Sequence, residues 1–157
     1  VEKLFKKYHI EEDIVAVGVS GGADSMALAL MAAEQLAPLG KKIVALTVDH
    51  GLRQSSADEA QYVAQVMSQF GIEHHILHWK GKKPTTGIEE AARVARYKLI
   101  REWCFNHNVN CVMMAHHLRD QAETFLIRLQ RGSGLTGLCA MHEFEDMDGI
   151  FVLRPFL

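Results

Sequence analysis

Residues 14–33 read IVAVGVSGGADSMALALMAA. The apolar run 14–19 ends in Ser20-Gly21-Gly22-Ala23-Asp24-Ser25, and a second apolar run follows at once. The first run is short, rich in Val and bounded by glycine, which predicts a buried strand. Residues 24–37 predict a helix that opens at Asp24 and closes at Pro38 and Gly40. Between them the glycines permit a tight turn whose backbone N–H groups point inward with no Cβ in the way. The helix adds its free amino-terminal N–H groups and its positive dipole end. With the hydroxyls of Ser20 and Ser25, the turn is a cradle sized for phosphate.

Two familiar phosphate loops are excluded. No lysine follows the glycines, as Gly-x-x-x-x-Gly-Lys-Ser/Thr requires, and the turn holds no Gly-x-Gly-x-x-Gly. Asp24 is the informative departure. An acid inside an anion cradle is repulsive unless a cation lies between the two, and a Mg²⁺ bridging Asp24 to a polyphosphate removes the conflict. The plainer alternative is that Asp24 only caps the helix.

The same strand-then-helix alternation continues outward. Strands are expected at 43–48, 73–78, 110–114 and 150–154, and helices at 57–70, 88–106 and 119–131. Leu99, Ile100 and Trp103 fall on the inner side of the long helix. Gly71 stops the second helix, and Gly132 and Gly134 break the last. Continuously apolar strands alternating with helices predict a doubly wound α/β fold: a parallel five-stranded sheet with helices on both faces. Ligands in such folds bind at the carboxyl ends of the strands. The three distinctive polar clusters, SGGADS, DHGLR and AHHLRDQ, all fall there.

A chain of 157 residues, 48% hydrophobic and 23% charged, suits one soluble globular domain. No apolar run is long enough to span a membrane, and VEKLFKKYHIEED at the start lacks the apolar core of a signal peptide. Cys104, Cys111 and Cys139 form no Cys-x-x-Cys pair, so reduced thiols in a cytoplasmic protein are expected. The formal charge of −2 does not announce a nucleic-acid binder. The cations are nevertheless clustered: Lys80, Lys82 and Lys83; Arg93, Arg96, Lys98 and Arg101; Arg128 and Arg131. A local basic patch and a merely solvated face are both open readings.

The SGGADS stretch resembles the pyrophosphate-binding loop of the N-type ATP pyrophosphatases. Four further blocks narrow the likeness: VDHGLR at 48–53, EAARVARY at 90–97, AHHLRDQAETFLIRLQRGSGLTGLCAM at 115–141, and LRPFL at 153–157. They stand in the order found in the tRNA(Ile)-lysidine synthetase family and span nearly the whole chain; the 115–141 block is the most specific. The resemblance implies a Rossmann-like fold of the adenine nucleotide alpha hydrolase type. It also implies ATP and Mg²⁺ as cofactors, free lysine and a CAU-anticodon tRNA(Ile) as partners, and a possible homodimer. In the implied reaction lysine is joined to C2 of the wobble cytidine. The family carries an acid where this chain has Arg119, and it continues past the last block into carboxyl-terminal tRNA-binding domains. Residues 1–157 therefore look like the PP-loop catalytic domain alone.

The resemblance also suggests roles. Ser20, Gly21, Gly22, Asp24 and Ser25 would hold the β- and γ-phosphates, with Ala23 contributing backbone only. Asp24 and Asp120 are the Mg²⁺ candidates. Asp49, His50 and Arg53 follow the second strand, where the superfamily approaches adenosine, although His50 could simply close a turn. Arg93 and Arg96 share a helix face and could reach ATP phosphates, the RNA backbone or only solvent, with Arg96 the favoured catalytic residue. His116 and His117 lack a third ligand at zinc spacing; with Glu123 they are expected to shape the nucleotide and cytidine pocket. Two rivals remain: a tRNA thiolase of the same fold, whose 2-thiocytidine type carries Cys-x-x-Cys pairs, and a nucleotide-binding module without catalysis.

Overall fold

The computed structural model describes residues 1–53, 55–117 and 141–157. The expected helix at 119–131 lies outside the described residues, as do Asp120, Glu123 and Cys139. A short helix α1 (Glu2–Lys7) precedes β1 (Ile14–Gly18), α2 (Ala23–Leu36), β2 (Lys42–Asp49), α3 (Ser56–Gln69) and β3 (Glu73–His78). Then come α4 (Ile88–Asn106), β4 (Cys111–Met114), β5 (Phe144–Met147) and β6 (Ile150–Leu153). The elements expected between 14 and 114 stand within a residue or so of their predicted bounds. Neither α1 nor β5 is among the expected elements.

The described strands form one sheet in the order β3-β2-β1-β4-β6-β5. Five of these strands run parallel, and β5 pairs antiparallel with β6 at the edge. The expected parallel sheet is thus present with one strand added. That strand comes from a hairpin: Asp148 and Gly149 both take positive φ, 54° and 86°, the two-residue turn that Asp-Gly favours. Gly149 N–H donates to Asp146 Oδ1 at 2.8 Å and holds the turn.

Period-two alternation divides the strand side chains between two apolar layers. Val15, Val17, Ala45, Cys111, Met113 and Leu153 pack with Leu28, Leu36, Val63 and Met67 from α2 and α3. Ala16, Val44, Leu46, Val112, Met114 and Val152 pack with Ile100, Trp103 and Cys104 from α4. Helices therefore cover both faces, which is why the central strands β1, β2 and β4 are apolar along most of their length. Burial pushes the thiols of Cys104 and Cys111 up to about 12, so both are inert core groups. Among the described residues no helix is long and apolar enough to cross a membrane.

The sheet changes winding direction between β1 and β4: α2 and α3 lie on one face and α4 on the other. The carboxyl ends of β1, β2 and β4 meet there, where a crevice in this fold opens.

Candidate functional site

A cleft of about 420 Å³ lies at that switch point. Its floor comes from the strand ends Gly18, Thr47, Val48 and Met114. Gly18 leaves room for the Met114 side chain, because a Cβ on it would stand 2.5 Å from Met114 Sδ.

One wall is the turn between β1 and α2. Val19 N–H donates to Leu46 C=O at 2.8 Å and carries the ladder one residue past the strand. Gly21 then takes φ 87°, a conformation glycine adopts freely. Ser25 ties the turn together. Its Oγ accepts the Ser20 N–H at 3.1 Å, lies 3.2 Å from Ser20 Oγ and donates to Gly22 C=O at 2.9 Å. Ser25 is buried, while Ser20 is exposed. Gly22 is the N-cap of α2 and no side chain caps that end. Among the described residues the first N–H groups of α2 thus have no side-chain partner, and they stand at the cleft beside the positive end of the helix dipole. Asp24 is not the cap. It sits in the first turn, 61% exposed, with Oδ2 3.5 Å from Nε2 of His117.

The opposite wall is α4 and the end of β4. Arg96, Ile100, His116 and His117 line the cleft. Burial, with Arg93 close by, pushes the Arg96 guanidinium below its usual value, yet an arginine remains charged there. Arg96 makes no ion pair with the described residues. Arg93 is turned away from the cleft lining: its guanidinium lies 5.5 Å over the Tyr97 ring and donates to Met141 Sδ at 3.7 Å. The Tyr97 ring stacks in turn on His116, centroids 6.4 Å apart.

The third side is the loop after β2. His50 and Arg53 line the cleft, whereas Asp49 does not. Asp49 Oδ1 accepts the Gly51 N–H at 2.9 Å and the Ser56 hydroxyl at 2.7 Å, and Oδ2 lies 3.4 Å from His78 Nδ1. These bonds, the Ser56 one foremost, hold its carboxyl below the usual carboxylate value. Asp49 organises its own loop. His50 is pushed down by burial and then by the positive charge of Arg96, with Asp49 opposing. Its ring meets Trp79 edge-on at 6.1 Å.

The model of the PP-loop domain family matches residues 1–157. The chain belongs to the PP-loop domain family. It is 45% identical over 158 residues to a tRNA(Ile)-lysidine synthase of a Bradyrhizobium species, covering 99% of this chain and 44% of that protein. It is 48% identical to the Zymomonas mobilis tRNA(Ile)-lysidine synthase, covering 91% of this chain and 44% of that one. The chain thus spans less than half the length of these curated relatives. Among solved structures it is similar to the U34-tRNA thiolase NcsA of Methanococcus maripaludis, described with its [4Fe-4S] cluster. There the TM-score is 0.80 at 19% identity, over 99% of this chain and 57% of that one. At that identity the likeness speaks for the fold alone.

This PP-loop domain brings ten of the sequence-predicted residues to one cleft: Ser20, Gly22, Ala23, Asp24, Ser25, His50, Arg53, Arg96, His116 and His117. Gly21 shapes the turn from behind, and Asp49 and Arg93 stand outside the lining. Three polar lining residues were missed: Thr47, Ser56 and Glu59. Thr47 carried a signal, being the one hydroxyl in the apolar strand IVALTV. It is buried, and its Oγ1 lies 2.8 Å from Nε2 of His74 on β3. Ser56 and Glu59 read as ordinary helix-start residues and gave no signal.

Proposed function

We propose that the chain catalyses the ATP-dependent joining of free lysine to the wobble cytidine of a CAU-anticodon tRNA(Ile), releasing AMP and pyrophosphate. The supporting observation is the 45–48% identity to proteins named tRNA(Ile)-lysidine synthase along almost all of this chain. Residues 1–157 would act as the catalytic PP-loop domain of that activity in the cytoplasm, and a homodimer is compatible with it.

ATP would lie along the cleft with its β- and γ-phosphates on the Ser20–Ser25 turn. The uncapped N–H groups of α2 and the exposed Ser20 hydroxyl suit that polyanion. Ser25 would act through the turn it closes. His50 and Arg53 would face the adenosine, with Asp49 fixing their loop. Arg96 would neutralise phosphate charge from the far wall, with Arg93 behind it.

Mg²⁺ fits the chemistry of the donors. A hard cation bound by one or two carboxylates and substrate phosphates asks for an exposed acid beside an anion cradle, and Asp24 is one. Asp24, with Asp120 as second carboxylate, would hold it. When bound, Mg²⁺ neutralises charge on the polyphosphate.

In the first step cytidine O2 attacks the α-phosphorus, the new O–P bond forms, and the bond to the β-phosphate oxygen breaks with loss of pyrophosphate. In the second, the lysine ε-amine attacks C2, the C2–O2 bond breaks, and AMP leaves with that oxygen while the amine sheds a proton. The chain's contribution is alignment and a pre-set electrostatic field. His116, His117 and Glu123 would border the cytidine, and a neutral imidazole among them is suited to take the amine proton.

The test is a product assay with Mg-ATP, lysine and a CAU-anticodon tRNA transcript. Equal amounts of AMP and of anticodon fragment heavier by one lysine less one water are expected. ATP returned intact, with or without a carboxyl-terminal extension taken from a relative, would overturn the proposal.

A further inference from the structure

The cations of this domain divide into two populations. On the helix flanks and at the amino end of the sheet five have an acidic partner: Lys6 with Glu2, Lys7 with Glu143, Lys42 with Glu73, Lys98 with Glu102 and Arg101 with Asp148, while Lys41 donates to the Glu12 carbonyl and Lys3 stands alone among the described residues. At the carboxyl edge the pattern changes. Arg53, Lys80, Lys82 and Lys83 form no ion pair among the described residues, and the loop Trp79–Gly87 contains no acid. An overall charge of −2 conceals this local excess.

The loop is built rather than loose. Trp79 N–H donates to Asp49 C=O at 3.0 Å, fastening it to the end of β2. The Lys83 ammonium turns back to donate to Trp79 C=O at 2.6 Å and to Gly81 C=O at 3.4 Å, and it lies 5.2 Å over the Trp79 ring. It is also close enough to His50 to push that imidazole's pKa down. Lys83 is therefore spent on holding the hook shut. Lys80 and Lys82 remain exposed on its outside. Trp79 touches His50, and His50 lines the cleft, so the hook forms the outer rim of the cleft on the β3 side.

We infer that the Trp79–Gly87 hook is the surface on which the phosphate backbone of the RNA acceptor docks, through Lys80 and Lys82 on its outside. The inference rests on the proposed RNA substrate. It adds that the strand enters across the β3 corner of the sheet. An unpaired cationic rim beside a catalytic cleft matches a polyanion that carries charge at regular intervals, because each neutralised phosphate releases a counterion.

The experiment measures binding of the full chain to a labelled CAU-anticodon stem–loop RNA at several salt concentrations. The Lys80→Ala/Lys82→Ala variant is compared with wild type and with Lys3→Ala on α1, an exposed cation at the far end of the molecule. The double variant is expected to bind several-fold more weakly at low salt. Its log-affinity slope against log salt should be flatter by about 1.4, or about 0.7 per lost single-strand contact. Its melting temperature should match wild type, and Lys3→Ala should change neither affinity nor slope. A double variant with the wild-type slope, or a wild-type chain that binds no RNA, would overturn the surface. Lysine incorporation is read separately. If RNA binding responds as expected while no lysine enters, the surface stands and the proposed reaction fails.

Discussion

The two loops that follow β1 and β2 use the same few residue types to opposite ends. Both leave a buried parallel strand, both contain Gly, Ser and Asp, and both lead to a helix on the same face of the sheet. In the first, Ser25 supplies the internal hydrogen bonds and Asp24 is left 61% exposed at the cleft. In the second, Asp49 itself accepts the internal bonds, from Gly51 and Ser56, and its side chain is only 12% exposed. An acid beside a cleft becomes available for chemistry when something else closes its loop.

Exchanging the roles breaks the comparison most sharply. Asp24→Asn should lower Mg-ATP turnover about a hundredfold or more, the scale of removing one preorganised electrostatic group. Its thermal midpoint should stay close to wild type, since no buried bond is lost. Product formation and a melt on the same preparation decide the matter: normal turnover from a folded variant would remove Asp24 from the site.

Ser25→Ala should do both kinds of damage. It leaves the Ser20 N–H without its acceptor and the Gly22 carbonyl with only the Met26 N–H, at a buried position, costing about 1–3 kcal/mol. With the turn loosened, ATP affinity should fall more than the maximal rate. Nucleotide titration alongside denaturant unfolding separates the two effects.

Asp49→Ala should show the reverse of Asp24→Asn. The lost bonds are partly solvent-exposed, so the cost is about 1–2 kcal/mol, or a few degrees in the midpoint for a domain of this size. Turnover should fall only through the shifted positions of His50 and Arg53. If Asp49→Ala proves the more damaging variant to catalysis, the two loops have been assigned the wrong way round.

The sheet was legible because continuously apolar strands are central strands covered on both faces, and β1, β2 and β4 are such strands. Strand β5 was not, because FEDM lies at an edge and half faces water; the Asp148-Gly149 turn was its only local signature. Helix α1 is too short to carry a periodic signal, and it is held by the burial of Phe5 and by Gln35, which accepts from the Val1 ammonium at 3.0 Å. The site was legible in its residue types and less so in its division of labour. Sequence alone makes Asp49 a residue near the nucleotide and Ser25 a ligand group. Only the fold shows which side chains are consumed in holding their own loop.

The smallest effect expected is a dependence of stability on pH that belongs to the β2 side of the cleft. Burial depresses both His50 and His74 below the ordinary 6.5. Around His50 stand Arg96 and Lys83, which reinforce the shift, and Asp49, which opposes it. His74 faces the Thr47 hydroxyl and feels His75. The unfolded chain therefore binds more protons than the folded one just below pH 6.5, and stability rises with pH across that range. The contribution is whole above about pH 6.5 and is lost as pH falls through the two folded values. Asp49, Glu73 and Glu143, all held below their usual carboxylate values by hydrogen bonds, act in a separate and lower window. Urea unfolding at pH 7.5 and 5.5 should find the domain weaker at the lower pH, and a His50→Asn/His74→Asn variant should flatten that difference. An undiminished slope in the double variant would assign the acid sensitivity to other groups and leave the neutral imidazoles without a part in holding this side of the cleft.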